Sequence, residues 1–306
     1  MADYDLIIIG SGPAGMTAAI YGARANLSVL MLDRLAPGGK VINTSEIQNY
    51  TGVGTVEGAD LAIRMFQHTQ ELNVEFDYRT VLKVRDEGAQ KTVVCQEEDR
   101  TYTARTVILC TGTTPRLLGA AQEDRFTGNG ISWCAVCDGA GCRDKDVVVI
   151  GGGNSAVEEA IYLAGFAKSV TVVVRSKLSA DPIACDKLLA RENVKLYAGH
   201  DVLAFCGEKK LEGVLLRSKE TGEEFQVDCA QAFEYIGQIP ATESFSELDV
   251  LDERGYVKVN DRMETTVPGV FGAGDCITKN LRQVITACAD GAIAAQSAAR
   301  YAQNLK

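Results

Sequence analysis

Histidine is almost missing from this chain, which has only His68 and His200 among 306 residues. Structural zinc takes four ligands, chiefly thiolate and imidazole. With so little histidine and no second Cys-x-x-Cys pair, no metal is expected. Uninterrupted apolar stretches of ~18 residues, enough to cross a bilayer, are also missing, so no membrane span is expected. There is no basic run either, and the formal net charge is −10. The electrostatic footprint of a nucleic-acid binder is therefore lacking. The opening residues Met1-Ala2-Asp3-Tyr4-Asp5 bring acid where a secretory signal needs base, and a cytoplasmic location is expected. No low-complexity linker divides the chain.

What is present is ordinary globular composition, 46% hydrophobic and 24% charged, in a chain long enough for two domains. Short β-branched runs alternate with longer amphipathic stretches, the pattern of an α/β fold with parallel sheets. One passage occurs twice. Asp5-Leu6-Ile7-Ile8-Ile9 leads into a glycine turn, an Ala-rich helix and a strand ending at Asp33. Asp146-Val147-Val148-Val149-Ile150 leads into a second glycine turn, a helix and a strand ending at Val174-Arg175. Two such units predict two Rossmann-like dinucleotide-binding domains, with boundaries near Thr113 and Ala241.

In the first turn, Gly10-Ser11-Gly12-Pro13-Ala14-Gly15 has the G-x-G-x-x-G spacing of a dinucleotide site. One glycine permits the tight turn, one lets backbone approach a pyrophosphate, and one allows close helix–strand packing. The phosphates then meet the free N–H groups at the helix start, and Asp33 can accept from ribose hydroxyls. In the second turn, Gly151, Gly153 and Ala156 take the corresponding places, with Asn154 and Ser155 opening the helix. Its second strand ends without an acid. Arg175 and Lys177 follow instead, which leans towards a 2′-phosphate and NADPH, though a phosphate site usually draws on more than one arginine. The nucleotide stays open between NADPH and NADH.

Cys134-Ala135-Val136-Cys137 stands just before the second unit, and Asp138 follows directly. Thiols at this spacing can form a disulfide, and the motif often lowers one thiol's pKa. Asp138 can carry protons during exchange. Cys142 adds a third thiol, making Cys134, Cys137 and Cys142 one close cluster. A zinc-binding or partner-binding module is the rival reading, and inert buried cysteines are the plain one. The other cysteines are scattered and read as buried small hydrophobes.

The order of these features, with Gly274-Asp275 and Arg282-Gln283-Val284 near the end, resembles the low-molecular-weight thioredoxin reductases of bacteria, a flavoprotein family, over essentially the whole chain. Tyr235-Ile236-Gly237-Gln238-Ile239-Pro240 resembles the family's return from the inner domain to the outer. The resemblance implies a discontinuous FAD domain, residues 1–113 and 242–306, with an NAD(P)H domain carrying the dithiol, residues 114–241, inserted into it. It implies that residues 11–14 hold the FAD pyrophosphate. Asp33 would then lie near the adenosine ribose, Asn49 near the flavin, and Asp275 on the ribityl chain. Gln283 and Val284 would flank the isoalloxazine, and Gly112 and Arg282 would complete the cofactor site. Cys137 would face the flavin, and Cys134 would attack the disulfide of thioredoxin or a related small redox protein. The inserted domain would turn about hinges near Thr113–Pro115 and 237–241. A homodimer with one FAD per subunit is implied.

Two departures stand out. NADPH-specific members carry His-Arg-Arg after the second strand and a further Arg four positions on. This chain has Val174-Arg175-Ser176, and Ala180 at the later place, so NADH or dual use enters. Trp133 stands where a smaller residue or Tyr is common. Rival enzymes of similar build are a dithiol oxidase and a peroxiredoxin-reducing flavoprotein. The latter carries an extra N-terminal dithiol domain, whereas here the first fingerprint begins at Gly10.

Overall fold

The computed structural model describes residues 2–43, 47, 49–97, 100–133 and 135–304; of Asn43, Val136, Cys137 and Ala140 it describes the backbone only. The chain divides into two compact units, Met1–Thr114 with Ile239–Lys306, and Pro115–Gln238. The expected class, two Rossmann-like α/β domains with the second inserted into the first, is the one observed.

In the first unit the strands Glu75–Tyr78, Val29–Asp33, Tyr4–Ile9 and Thr101–Leu109 lie side by side in that order. All their pairings are parallel. Val270–Gly272 adds alongside Val107, Ile108 and Leu109, while the start of Thr101–Leu109 pairs antiparallel with Gln90–Cys95. The near-continuous apolar runs follow from burial of both sheet faces. Ile7, Ile9, Leu30 and Leu32 join one core, and their neighbours Leu6, Ile8, Val29 and Met31 join the other. On that second face lie the helices Pro13–Arg24 and Val284–Asn304. These cross with little clearance, since a Cβ on Gly291 would sit 2.1 Å from the Ala14 carbonyl oxygen.

The second unit repeats the grammar. Val194–Ala198, Ser169–Val174, Asp146–Ile150, Gln231–Glu234 and Ile131–Ser132 form a sheet in that order, parallel throughout. Helix Asn154–Leu163 covers one face through Ala156, Val157, Ala160 and Leu163. An antiparallel meander, His200–Cys206, Gly213–Ser218 and Glu224–Asp228, is set in the chain between Val194–Ala198 and Gln231–Glu234, as the Val81–Glu87 and Gln90–Cys95 hairpin is between Glu75–Tyr78 and Thr101–Leu109 in the first unit. Each unit's two ends lie together. Arg116 N–H donates to Gly237 O at 3.0 Å in the second unit, and Ala241 N–H to Gly112 O at 3.0 Å in the first.

Candidate active site

The first glycine turn is built by exclusion. Gly10 has φ +105°, and a Cβ there would lie 2.3 Å from the Cys110 carbonyl oxygen at the end of the neighbouring strand. A Cβ on Gly15 would lie 1.9 Å from Gly10 O, whereas one on Gly12 would meet nothing within 4 Å. Strand, turn and helix are thus pressed together at Gly10 and Gly15 and left open at Gly12. Gly12 caps helix Pro13–Arg24 without a side-chain bond, so that cap leaves the first-turn N–H groups to other acceptors. Ser11 is buried, and its N–H and its hydroxyl both donate to Asp33 Oδ2, each at 2.7 Å. Asp33 Oδ1 accepts from Leu35 N at 3.0 Å. The carboxylate therefore ties the turn to the second strand, with lone pairs to spare.

Around this turn the fold gathers distant residues. Gly274 has φ +80° and donates its N–H to Asp290 Oδ2 at 3.1 Å. Asp275 Oδ2 meets Lys40 Nζ at 3.0 Å, and Lys40 also donates to Thr113 Oγ1 at 2.7 Å. Asn49 Nδ2 donates to Gln283 Oε1 at 3.0 Å, joining residues far apart in the chain. Val284 opens the last helix and packs on Val41, Ile47, Val56, Leu61 and Ala62. The Arg282 guanidinium gives its donors to the carbonyls of Asp275, Ile277 and Lys279 at 3.2, 3.3 and 3.1 Å and lies 4.5 Å over the Tyr256 ring. Its visible task is to hold the loop after Asp275.

The second turn matches the first. Gly151 has φ +138°, a Cβ there would lie 2.4 Å from Tyr235 O, and one on Gly153 would meet nothing within 4 Å. Gly153 caps helix Asn154–Leu163 in an extended conformation like that of Gly12, again without a side-chain bond. Arg175, Ser176 and Lys177 are exposed beyond the second strand. The loop is folded back on the turn, with Ser179 N donating to Gly152 O at 2.7 Å. Asp181 N donates to Asn154 Oδ1 at 2.8 Å.

Cys134 lies outside the described residues. Cys137 belongs to the short helix Ala135–Asp138. Asp138 is exposed and accepts from Ser132 Oγ at 2.5 Å. The helix start is anchored where Ala135 N–H donates to the Tyr235 hydroxyl at 2.7 Å, which is in turn hydrogen-bonded to Glu159. Burial, then the charge of Glu158, pushes Glu159 up to about 7. Burial and Glu159 together push Tyr235 upward. Cys142 is a different kind of thiol: it is buried, donates to Gln231 Oε1, and burial raises it to about 11. Burial likewise raises Cys95 to about 11, Cys229 to about 12 and Cys276 to about 11.

Residues 4–291 match the pyridine nucleotide-disulphide oxidoreductase family. The chain belongs to this family. Thioredoxin reductases of Listeria innocua and Bacillus subtilis are each 43% identical to it over 305 residues. Those alignments span 99% of this chain and 95% and 96% of the relatives. Among solved structures, Lactococcus lactis thioredoxin reductase superposes with a TM-score of 0.86 at 39% identity, covering 99% of this chain and 100% of that one. The T. acidophilum thioredoxin reductase gives 0.83 at 34% identity, with both chains covered fully. As in the family at large, a flavin and a nicotinamide nucleotide are the groups for which two such turns are suited.

Several residues at these sites carry no mark in the sequence. Lys40, Asp290 and its partner Lys279, and Glu159 act through contacts made only when the chain folds, as does the hydroxyl of Tyr235, which the sequence marks only as part of a resembling segment.

Proposed function

We propose that this chain is a thioredoxin reductase, passing electrons from NADH or NADPH through FAD and the Cys134–Cys137 disulfide to the disulfide of thioredoxin or a similar small protein. The observation that carries the reading is the pairing of two open, uncapped glycine turns with a Cys-x-x-Cys-Asp segment in the inserted unit. The residues fit the cofactors. Gly12 leaves room for a pyrophosphate at the helix start, while Ser11, its donors spent on Asp33, holds the carboxylate in place for a ribose. Asp275, Asn49, Gln283 and Val284 would line the flavin, with Gly112, Gly274 and Arg282 shaping the loops around them. Gly151, Gly153, Asn154, Ser155 and Ala156 would take the nicotinamide nucleotide. A bound flavin would supply the means of converting hydride into an electron pair for the disulfide.

The chain's own residues do the rest. The Cys134 thiolate attacks one sulfur of the partner disulfide and a mixed disulfide forms. The Cys137 thiolate then attacks Cys134, restoring the Cys134–Cys137 bond and releasing the partner as a dithiol. Asp138 passes the protons that the departing thiolates need. The FAD domain, expected as residues 1–113 and 242–306, would correspond to the first compact unit, and the nucleotide domain, expected as 114–241, to the second, with a homodimer as the working assembly. No helix among the described residues is long and apolar enough to cross a membrane.

Arg175 is the only arginine at the end of the second strand, so we propose that NADH is accepted alongside NADPH. Reduction of the bound flavin by each nucleotide in parallel tests this, and a strong preference for NADPH would refute it. Cys137→Ser tests the whole scheme: the variant should keep its yellow colour and lose thioredoxin reduction. Wild-type turnover in that variant would refute the mechanism.

A further inference from the structure

Trp133, the residue before Cys134, is the only tryptophan of the chain. Its indole N–H donates to Glu234 Oε2 at 3.1 Å, and its ring packs against the core that holds Phe126, Ile131 and Phe205. Glu234 ends the Gln231–Glu234 strand and is 2% exposed. A carboxyl so placed is costly unless both oxygens are satisfied, yet Oε1 is buried without a donor. The group within hydrogen-bonding reach is a second carboxyl, Glu123, 4% exposed. Glu123 already receives the N–H groups of Leu118, Gly119 and Ala120 at 2.9, 2.6 and 3.1 Å. Two acids in contact can be joined only by a proton held between them. Burial, then the charge of Glu123, pushes Glu234 up to about 8. Among the described residues Glu123 is the charged group that acts on Glu234. Arg125 turns to Gln122 and the Glu208 carbonyl, Asp138 to Ser132, and Glu159 to Tyr235.

We propose that Glu234 is a positioning residue for the dithiol: its neutral carboxyl bridges Glu123 to the Trp133 indole and so fixes the residue beside Cys134, and its ionisation sets it against Glu123 and breaks that side of the bridge. Trp133 and Glu234 form one device, which gives the unusual tryptophan a reason to be there. The bridge itself is independent of the activity, and its consequence for turnover rests on the thioredoxin reductase reading.

The test uses the oxidised, flavin-loaded protein. Tryptophan emission followed from pH 6 to 9.5 reports on Trp133 alone. Wild type should show a transition near pH 8. Glu234→Gln, whose amide still accepts from the indole and donates to Glu123, should show none. Glu123→Gln should shift the transition to lower pH, since a negative neighbour is removed. Thioredoxin-disulfide reduction by wild type should fall to a lower plateau across the same transition, and the Glu234→Gln profile should lack that fall. A transition persisting in Glu234→Gln, no transition in wild type, or superimposable pH–rate profiles would overturn the proposal. If neither protein reduces thioredoxin, the activity reading fails while the emission titration still decides the bridge.

Discussion

Replacing Gly15 by alanine probes the first turn at its tightest point. The added Cβ would lie 1.9 Å from Gly10 O and 3.3 Å from Ile8 Cγ2, where contacts under 3.0 Å are essentially never seen. Gly10 cannot yield, because its own missing Cβ faces Cys110 O at 2.3 Å. Helix Pro13–Arg24 must therefore slide away from the strand by more than an ångström. Overpacking of this kind costs about 1–3 kcal/mol, which lowers the thermal midpoint by about 2–12 °C in a domain of this size. The same slide carries the helix N–H groups off the pyrophosphate position, so flavin retention should fall with stability. The assay is the visible absorbance of the purified variant beside its melting curve. The second unit supplies an internal control, because Ala156 occupies the matching position there. Ala156→Gly should cost the helix-propensity difference, about 1 kcal/mol, and about 1 kcal/mol more for the buried methyl lost from that core, and leave flavin content unchanged. A Gly15→Ala protein with full flavin and a wild-type midpoint would show that the close approach is not what holds the turn.

Arg282→Ala removes a guanidinium bonded to three carbonyls. It should cost about 2–4 kcal/mol and speed flavin loss on dilution, both read by melting and fluorescence. Cys142→Ser keeps a donor for Gln231 and should reduce thioredoxin at the wild-type rate; a large loss would give Cys142 a part in the chemistry. For Glu159, raised from its ordinary 4.5 to about 7, the folded state keeps a proton that the unfolded chain releases. Its contribution to stability therefore falls as pH climbs through that window and is constant above it. Glu159→Gln should melt higher relative to wild type at pH 8 than at pH 5, and an unchanged difference between those pH values would refute the assignment.

The parallel strands were legible because burial of both faces leaves runs such as Leu6-Ile7-Ile8-Ile9 without polar interruption. The turns were legible because spacing alone demands Gly10, Gly15 and Gly151 where the backbone closes. Membership of the family followed from the order of those marks. What could not be read was side-chain bonding between distant segments. Nothing near Lys40 in the chain announces Asp275, and nothing near Trp133 announces Glu234. Arg282 stands beside Gln283 in the sequence, yet its donors face backbone carbonyls of the preceding loop, a choice that depends on how residues 275–279 turn.

The bond between Arg116 N–H and Gly237 O has a consequence for how such a chain can be remade. A segment that begins and ends at one place behaves as a cassette: closing so short a gap costs little chain entropy. Its host, stitched by Ala241 to Gly112 on its own side, needs no re-threading when the cassette is exchanged. Two cuts suffice to graft another nucleotide module into the first unit, or to join the ends of residues 115–238 and open that module elsewhere.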